Sequence, residues 1–214
     1  MPTSLRERKK QETRDRIRAA ALDLFGREGF DHVTVAEVAD AANVSPATVF
    51  NYFPTKEDLI FQGMAEYGES LVRTLRERPP GVSIVEAFRN QLLQPRGALT
   101  NPDPGASAAI VLVRGIIAGS AALQAREHLM AAASADELSA LLAGDSEEAL
   151  VHRFLATAML GANKAAAWEI YRLATQGKSG TEIAQVVLPQ AAAAVEILIR
   201  GLGSLGQGSE SPTA

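Results

Sequence analysis

Apolar residues recur along the first part of the chain at the three- and four-residue spacing of amphipathic helices. Over residues 11–27 this spacing predicts a first helix, and Gly29 is placed to end it in a left-handed cap. Thr34 and Glu37 have the spacing of a capping box, in which each side chain accepts a hydrogen bond from the other residue's backbone N–H. The capping box predicts that a second helix starts soon after the first one ends.

The second helix is predicted to end near Asn43, a residue type that tolerates the left-handed conformation of a sharp turn. Ser45 is placed as the N-cap of a third helix and Pro46 as its first residue, where the missing N–H of proline has no cost. Pro54 keeps this helix short. Three helices, the last two joined by a tight turn, constitute a helix-turn-helix.

The third helix has two different faces. Val49 and Phe53 are four residues apart and are predicted to face the core. The residues that fall largely on the other face are Ala47, Thr48, Asn51 and Tyr52. Thr and Asn can bond base edges, an Ala methyl can pack on a thymine methyl, and a Tyr hydroxyl can reach a phosphate. This composition favours a DNA-reading helix, and the alternative is a small helical subdomain whose exposed tyrosine has no role.

Three further residues suit phosphate binding. Thr55 and Asp58 are predicted to cap a fourth helix with Lys56 at its first position, where the helix macrodipole disfavours a cation. A phosphate bound there would offset this penalty. Thr34 and Ser45 cap helices whose free backbone N–H groups can also bind phosphate.

The segment ALDLFGREGFDHVTVAEVADAANVSPATVFNYFPTKEDLI, within residues 12–60, resembles the N-terminal DNA-binding domain of the TetR family of bacterial transcriptional regulators. The resemblance rests on the Gly-aromatic pair, the Thr-capped second helix, the aromatic end of the third helix and the Lys that opens the fourth. It implies that the DNA is lined by Thr34, Ser45, Ala47, Thr48, Phe50, Asn51, Tyr52 and Lys56. Two positions depart from the family pattern. Asn43 stands where Gly is usual, and Phe50 replaces a commoner Tyr and lacks its hydroxyl.

Charge and composition add to this interpretation. Residues 1–18 carry seven Lys/Arg and three acidic residues, a net +4, whereas the whole chain has a formal net charge of −4. Since the Debye length is about 8 Å at physiological salt, a distant acidic body hardly opposes this basic arm. A solvated, disordered arm is the alternative. The absence of Cys excludes disulfides and Cys-ligated metals, and the charged N-terminus lacks the apolar core of a signal peptide. A cytoplasmic location fits these features.

Beyond residue 56 the pattern predicts only further helices, so the fold class is all-α. The fourth helix is expected to run to about Glu77, and a Ser83–Glu86 capping box opens a fifth that ends at Pro95. A long apolar helix is expected from about Ala106, and a shorter one over residues 136–143. We expect a helix-turn-helix domain over 1–56, a larger ligand-binding and dimerisation domain over 57–204, and a disordered tail over 205–214.

The last two predicted helices, 147–176 and 181–200, are apolar on more than one face, and the second is expected to bend at Pro189. Pairing them with the same helices of a second copy would form a four-helix bundle about a two-fold axis. The family resemblance implies the same homodimer, and two-fold symmetry implies a palindromic operator of double-stranded DNA. Burial within one chain is the alternative.

The middle helices contain an apolar set that predicts a ligand pocket beside the fourth helix. Its members are Met64, Tyr67, Phe88, Leu92, Leu112, Ile116, Phe154, Met159 and Trp168. Gly115 and Gly119 would thin one wall of this pocket. A small apolar or amphipathic effector is expected rather than a sugar or a metal, and ordinary core packing is the alternative for each residue.

No motif in the sequence predicts catalysis, a cofactor or a metal site. The GLGSLG segment at 201–206 follows a predicted helix and not a strand, so it is no dinucleotide fingerprint. Glu148 and His152 lie four apart but have no further ligand cluster. The most apolar stretch is split by Arg114, and neither half is long enough to span a membrane. A ligand-released repressor is therefore the hypothesis. The alternatives are a small helical enzyme acting on an apolar substrate and a DNA-binding regulator without an effector.

Overall fold

The computed structural model describes residues 5–143 and 148–205. Within these residues the chain forms α-helices, two short 3-10 helices and no strand, which confirms the all-α prediction. The 3-10 helices are Phe30–His32 and Gly97–Thr100. The α-helices are α1 (Leu5–Glu28), α2 (Val35–Ala41), α3 (Pro46–Tyr52), α4 (Asp58–Arg76), α5 (Ile84–Leu92), α6 (Pro104–Ala118), α7 (Ala121–Ala143), α8 (Ala149–Ala174) and α9 (Gly180–Leu205).

Contacts divide the chain into two compact units. Unit 1 contains the residues up to Tyr67 together with Val111–Leu129. Unit 2 contains Gly68–Ile110 together with the residues from Met130 onward. The domain boundaries expected from the sequence, at 56/57 and 204/205, stay a prediction.

In unit 1, α1 begins at Leu5 and is longer than the predicted first helix, so the basic arm is helical from that residue. Local pairs support this exposed part of the helix, including Arg8–Glu12 at 3.6 Å and the Gln11 amide donating to Asp15 at 2.8 Å. The apolar stripe of α1 is buried through Ile17, Ala21 and Phe25. Gly29 ends the helix with φ 87 and ψ 145, which only glycine adopts readily, although this is not the left-handed helical cap that was predicted.

The turn between α2 and α3 follows the sequence signals closely. Asn43 has φ 52, the left-handed conformation that its position predicted. Its N–H donates to the Asp40 carbonyl at 3.0 Å, and the Val44 N–H donates to the Ala39 carbonyl at 2.9 Å. These are the two hydrogen bonds of a Schellman motif, which ends α2 and reverses the chain.

Unit 1 also contains a helical corner where α6 ends and α7 begins. The sequence did not predict this break, and the expected short helix over 136–143 is instead the end of the 23-residue α7. Ser120 explains the break. Its backbone oxygen accepts from the Gln124 N–H at 3.0 Å, and its hydroxyl accepts from the Leu123 N–H at 3.4 Å and donates to Asp31 at 2.8 Å.

The core of unit 2 is one cluster of buried apolar side chains from the five helices α4, α5, α7, α8 and α9. Phe88, Leu75 and Val195 are each 0% exposed, and Met159 is 1% exposed. The other members are Leu71, Ala87, Leu92, Leu138, Ala156 and Ala191. Small alanine side chains, Ala156 from α8 and Ala191 from α9, thus share this cluster with larger ones such as Phe88 and Met159.

The start of α9 meets the second 3-10 helix in unit 2. Ser179 caps α9, because its backbone N–H donates to Glu182 at 2.8 Å and its hydroxyl oxygen accepts from the Glu182 N–H at 3.4 Å. Ser83 and Glu86 form the predicted capping box of α5 in the same way. At Gly180 a Cβ atom would overlap with the Ala98 carbonyl oxygen and lie 2.6 Å from the carbonyl carbon. The two backbones therefore approach each other at a distance that only glycine permits.

Helix α9 continues past the predicted end at 200 to Leu205, and Pro189 lies inside it. Residues 206–214 of the expected tail lie outside the described residues. By length and mean hydropathy, Gly180–Gly201 could span a membrane, which differs from the sequence interpretation. Only 28% of its most apolar window is buried within the chain, so most of this apolar surface has no cover from the described residues.

Candidate nucleic-acid interface

The third helix presents its two faces as predicted. Val49 and Phe53 are each 1% exposed and belong to the core of unit 1. On the opposite side Ala47 and Asn51 are exposed, while Thr48 and Tyr52 are half-buried. The four side chains proposed to read DNA therefore share an accessible surface, although their contacts with DNA stay a prediction.

Capping interactions fix the starts of both helices of the helix-turn-helix, α2 and α3. The Thr34 N–H donates to the Glu37 carboxylate at 2.7 Å, and the Glu37 N–H donates to the Thr34 hydroxyl at 3.3 Å. The backbone and side-chain hydrogen bonds from Thr34 lower the pKa of Glu37. At α3, the Thr48 N–H donates to the Ser45 hydroxyl at 3.1 Å, and the two hydroxyls lie 2.8 Å apart. The helix thus has a fixed start before any DNA is bound.

Phe50 and Tyr52 differ in exposure at the end of α3. Phe50 is 49% exposed, which is unusual for an aromatic side chain without a polar atom. Tyr52 lines a surface groove that it shares with the basic arm of α1. The groove thus brings together residues 6–13 of α1 and Tyr52 of α3, which are distant in the sequence.

Lys56 lies in a different setting from the predicted one. Helix α4 begins at Asp58, so Lys56 lies in the turn before it, where Thr55 and Asp58 form the two hydrogen bonds of the predicted cap, at 2.9 and 3.2 Å. Its ammonium donates to the Phe30 carbonyl at 2.5 Å and lies 4.2 Å from the Phe30 ring centroid. Burial lowers the pKa of Lys56, against the effect of nearby carboxylates. The ammonium has partners within the protein and lies before α4, so the macrodipole argument for a phosphate no longer applies.

The nine predicted ligand residues are divided between the two units. Met64, Tyr67, Leu112 and Ile116 belong to unit 1, and the other five belong to unit 2. Phe88, Leu92 and Met159 pack within the core cluster of unit 2, whereas Phe154 and Trp168 are 64% and 63% exposed on α8. A spacing argument could not separate these roles, because apolar residues on a long helix suit a core, a pocket or an interface equally.

Among the described residues no group of three or more His, Cys, Asp or Glu is placed to hold a metal ion. His152, considered with Glu148 in the sequence, is 8% exposed, and its Nδ1 atom is buried without a hydrogen-bond partner.

The three-helix arrangement and the exposed face of α3 define a helix-turn-helix, the motif of many DNA-binding proteins. Residues 17–62 match the family model described as bacterial regulatory proteins, tetR family. These residues are thus similar to the N-terminal domain of the TetR family, as the resemblance of the sequence implied.

Two similar curated proteins support this assignment. The HTH-type transcriptional regulator TcmR of Streptomyces glaucescens is 36% identical over 84 residues, which cover 39% of this chain and 37% of that protein. The HTH-type transcriptional repressor KstR of Rhodococcus jostii (strain RHA1) is 32% identical over 84 residues, 39% of each chain. The matched segments thus span well under half of these relatives.

A similar solved structure covers most of the chain. NalD, described as the secondary repressor of the MexAB-OprM multidrug efflux pump in Pseudomonas aeruginosa, has a TM-score of 0.54 and 18% identity. The match covers 89% of this chain and 97% of that one. At this identity the likeness shows the fold.

Proposed function

We propose that this chain is a cytoplasmic, non-enzymatic transcriptional repressor that binds a palindromic operator as a homodimer and is released by a small, mostly apolar ligand. The observation that carries the proposal is the accessible polar face of α3, presented by a capped turn whose residues match the TetR family model. Two relatives of matching N-terminal sequence are a named regulator and a named repressor.

The DNA-binding role is tested by selecting DNA fragments with the purified protein and sequencing them. Asn51→Ala is the informative variant, because Asn51 is exposed and its loss leaves the Ser45–Thr48 cap intact. Losing one base contact should cost about 1–3 kcal/mol and change which base is preferred at one position of each half-site. Asn90→Ala, an exposed residue of α5, is the matched control. An enriched sequence that Asn51→Ala binds with unchanged affinity and preference would contradict the assignment of α3.

The dimer is supported by an uncovered apolar stripe on the last two helices. Its members on α8 follow steps of three and four residues: Leu150, Phe154, Thr157, Gly161, Ala165 and Trp168. Those on α9 do the same: Val186, Gln190, Ala193 and Ile197. Both stripes are exposed, with Leu150 83% and Ile197 72% accessible, and such surface is characteristic of an association site.

A charge in this stripe tests the assembly. Phe154→Glu and Ala193→Glu replace exposed residues, so they should separate the subunits without unfolding them. Ala166→Glu is less suitable, because Ala166 packs against the core of unit 2. Ala140→Glu on the exposed side of α7 is the control. Sedimentation of the wild type as a monomer at micromolar concentration would contradict the dimer.

The ligand part of the proposal now centres on Phe88, Leu92 and Met159, which share the core cluster of unit 2. Met adapts to varied shapes, so this cluster could repack around an apolar molecule. If a ligand releases DNA, operator DNA must weaken ligand binding by the same factor. The test is to measure the affinity of the protein for the ligand in the presence and in the absence of operator DNA. Equal affinities for a tight apolar ligand would exclude it as an inducer.

A further inference from the structure

A buried histidine on α8 has a ring nitrogen without a partner. The His152 side chain is 8% exposed, and its Nδ1 atom is buried with no hydrogen bond to any part of the chain that the structure describes. A buried polar atom of this kind has lost its hydrogen bonds to water and gained none in return, which is unfavourable. Such atoms are rare in native proteins, and each one calls for an explanation. His152 is therefore placed to bind a group from outside the chain.

The imidazole lies on the face of α8 that packs into the core of unit 2. Ala156 and Met159 follow His152 by four and seven residues, which is the spacing of one helix face. Both belong to the core cluster, at 0% and 1% exposed. The same cluster contains Phe88 and Leu92, on which the ligand part of the proposed function centres. The unpartnered nitrogen thus lies beside a cluster whose other side chains are apolar.

The charges near this cluster disfavour a charged ligand. Arg153, the residue after His152, pairs with Asp136 of α7. The Arg89 guanidinium, on α5, lies 3.4 Å from the Glu196 carboxylate. Both guanidinium groups therefore already have an anionic partner. Moving a carboxylate or an ammonium from water into the apolar cluster without a counter-ion is costly, whereas an uncharged group with one hydrogen bond avoids most of this cost.

A hydroxyl group also suits the imidazole whichever of its ring nitrogens carries the proton. A neutral imidazole has one donor and one acceptor nitrogen, and a hydroxyl can both donate and accept. A protonated Nδ1 donates to the hydroxyl oxygen, and an unprotonated Nδ1 accepts from the hydroxyl. A carbonyl or an ether oxygen, which only accepts, would satisfy one of the two tautomers and leave the other without a partner.

We propose that His152 is the polar anchor of the ligand site in unit 2, and that the ligand is an uncharged apolar molecule with one hydroxyl group, a phenol or an alcohol. The hydroxyl forms a hydrogen bond with Nδ1, and the apolar body enters the core cluster, where Met159 adapts to its shape. This inference rests on the proposed function, which assigns an apolar ligand to the same cluster. It adds the chemical class of that ligand and the residue that recognises it.

Three probes with the same apolar body test the ligand class: naphthol, naphthalene and naphthoate. Their affinities for the full-length protein are measured by calorimetry, and naphthol should bind most tightly. His152→Phe keeps an aromatic ring and removes both nitrogens, so it should weaken naphthol binding about five- to tenfold, the effect of losing one buried hydrogen bond. It should not weaken naphthalene binding. His128→Phe, at an exposed position of α7, is the matched control and should leave both affinities unchanged.

Nitrogen NMR of the wild-type protein gives a second measurement, which does not depend on whether the His152 variant folds. The chain has three histidines, and the other two, His32 and His128, are exposed. Their ring signals are identified by their loss in His32→Gln and His128→Phe, which leaves the signals of His152. Naphthol should shift the Nδ1 signal of His152 because its hydroxyl bonds that atom, and naphthalene should shift the signal much less.

Several results would overturn the inference. Tighter binding of naphthoate than of naphthol would mean that the site selects an anion. An Nδ1 signal with the shift of a hydrogen-bonded nitrogen before any probe is added would mean that water already satisfies this atom. Equal shifts with naphthol and naphthalene, or no binding of any probe, would also exclude His152 as the anchor of a hydroxyl ligand.

Failure of the proposed function would look different. Naphthol would then bind with the same affinity in the presence and in the absence of operator DNA, or the wild type would select no operator at all. In both cases a naphthol-dependent shift of the Nδ1 signal would still support the binding site at His152.

Discussion

The helix-turn-helix in unit 1 and the long helices of unit 2 differ in how much of their structure is determined locally. Thr34, Asn43 and Ser45 each set a helix end through their own hydrogen bonds or backbone conformation. Helices α8 and α9, each 26 residues long, are rich in alanine and expose apolar surface. Short elements bounded by caps can thus be predicted from nearby residues, whereas the roles of long apolar faces depend on what covers them.

The largest expected effect tests the unit 2 side of this contrast, because Gly180 is required by a contact with Ala98, a residue distant in the sequence. Gly180→Ala would place a Cβ against the Ala98 backbone, which cannot rotate away as a side chain could. We expect a loss of about 3 kcal/mol or more in the free energy of unfolding, at the upper end of overpacking effects. Thermal unfolding provides the measurement.

Gly68→Ala is the matched control for this substitution. Gly68 lies within α4, and its added Cβ would meet only the Ser134 hydroxyl at 3.9 Å. Removing a helical glycine without a clash should raise stability by up to about 1 kcal/mol. If Gly180→Ala behaved like Gly68→Ala, the close approach to Ala98 would not exist in solution.

The second effect concerns Lys56 and distinguishes a role in stability from a role in DNA binding. Lys56→Met keeps a long side chain but loses the hydrogen bond to the Phe30 carbonyl and the contact with its ring. We expect a loss of about 1–2 kcal/mol without any DNA present, measured by urea unfolding. Lys9→Met in the exposed arm should unfold like the wild type. Unchanged stability of Lys56→Met combined with weaker DNA binding would restore a phosphate role for Lys56.

The third effect is the loss of stability when a helix N-cap is removed, compared between the two units. Ser45→Ala in unit 1 and Ser83→Ala in unit 2 each remove an N-cap side chain that accepts a backbone hydrogen bond. Each should cost about 1 kcal/mol. Thr74→Ala, at an exposed position inside α4, should cost nothing. A much smaller cost for Ser83→Ala would mean that unit 2 depends on packing even where a cap exists.

The smallest effect is a dependence on pH shared by both units. Hydrogen bonds from Thr34, Ser83 and Ser179 lower the pKa values of Glu37, Glu86 and Glu182 below the ordinary 4.5. A depressed folded-state pKa gives stability that is present above the ordinary value and lost as pH falls through the depressed one. Urea midpoints should therefore fall between about pH 5 and about pH 3. The fall should be shallower in a variant with all three Glu→Gln substitutions. If the urea midpoint fell equally steeply with pH in both proteins, the three capping carboxylates would not be the cause.

The sequence predicted the caps, the turn at Asn43 and the core face of α3, because each depends on residues a few positions apart. It missed the break between α6 and α7, where Ser120 makes local capping bonds and one long-range bond to Asp31 that nearby residues could not predict. The roles of the predicted ligand residues could not be separated by spacing, because Phe88 of α5 is fully buried whereas Trp168 of α8 is 63% exposed. The groove between Tyr52 and the basic arm could not be predicted either, because it depends on contacts of Arg14 that are distant in the sequence.

The exposure of Trp168 has a spectroscopic consequence. It is the only tryptophan in the chain, and it lies on the apolar stripe of α8 and not in the core cluster. Its fluorescence emission should therefore report on water contact at that stripe. Association of two copies through α8 would shift the emission to shorter wavelength as concentration rises, without any attached dye. A ligand entering beside Phe88 would leave that emission nearly unchanged, so one intrinsic signal can distinguish assembly from effector binding.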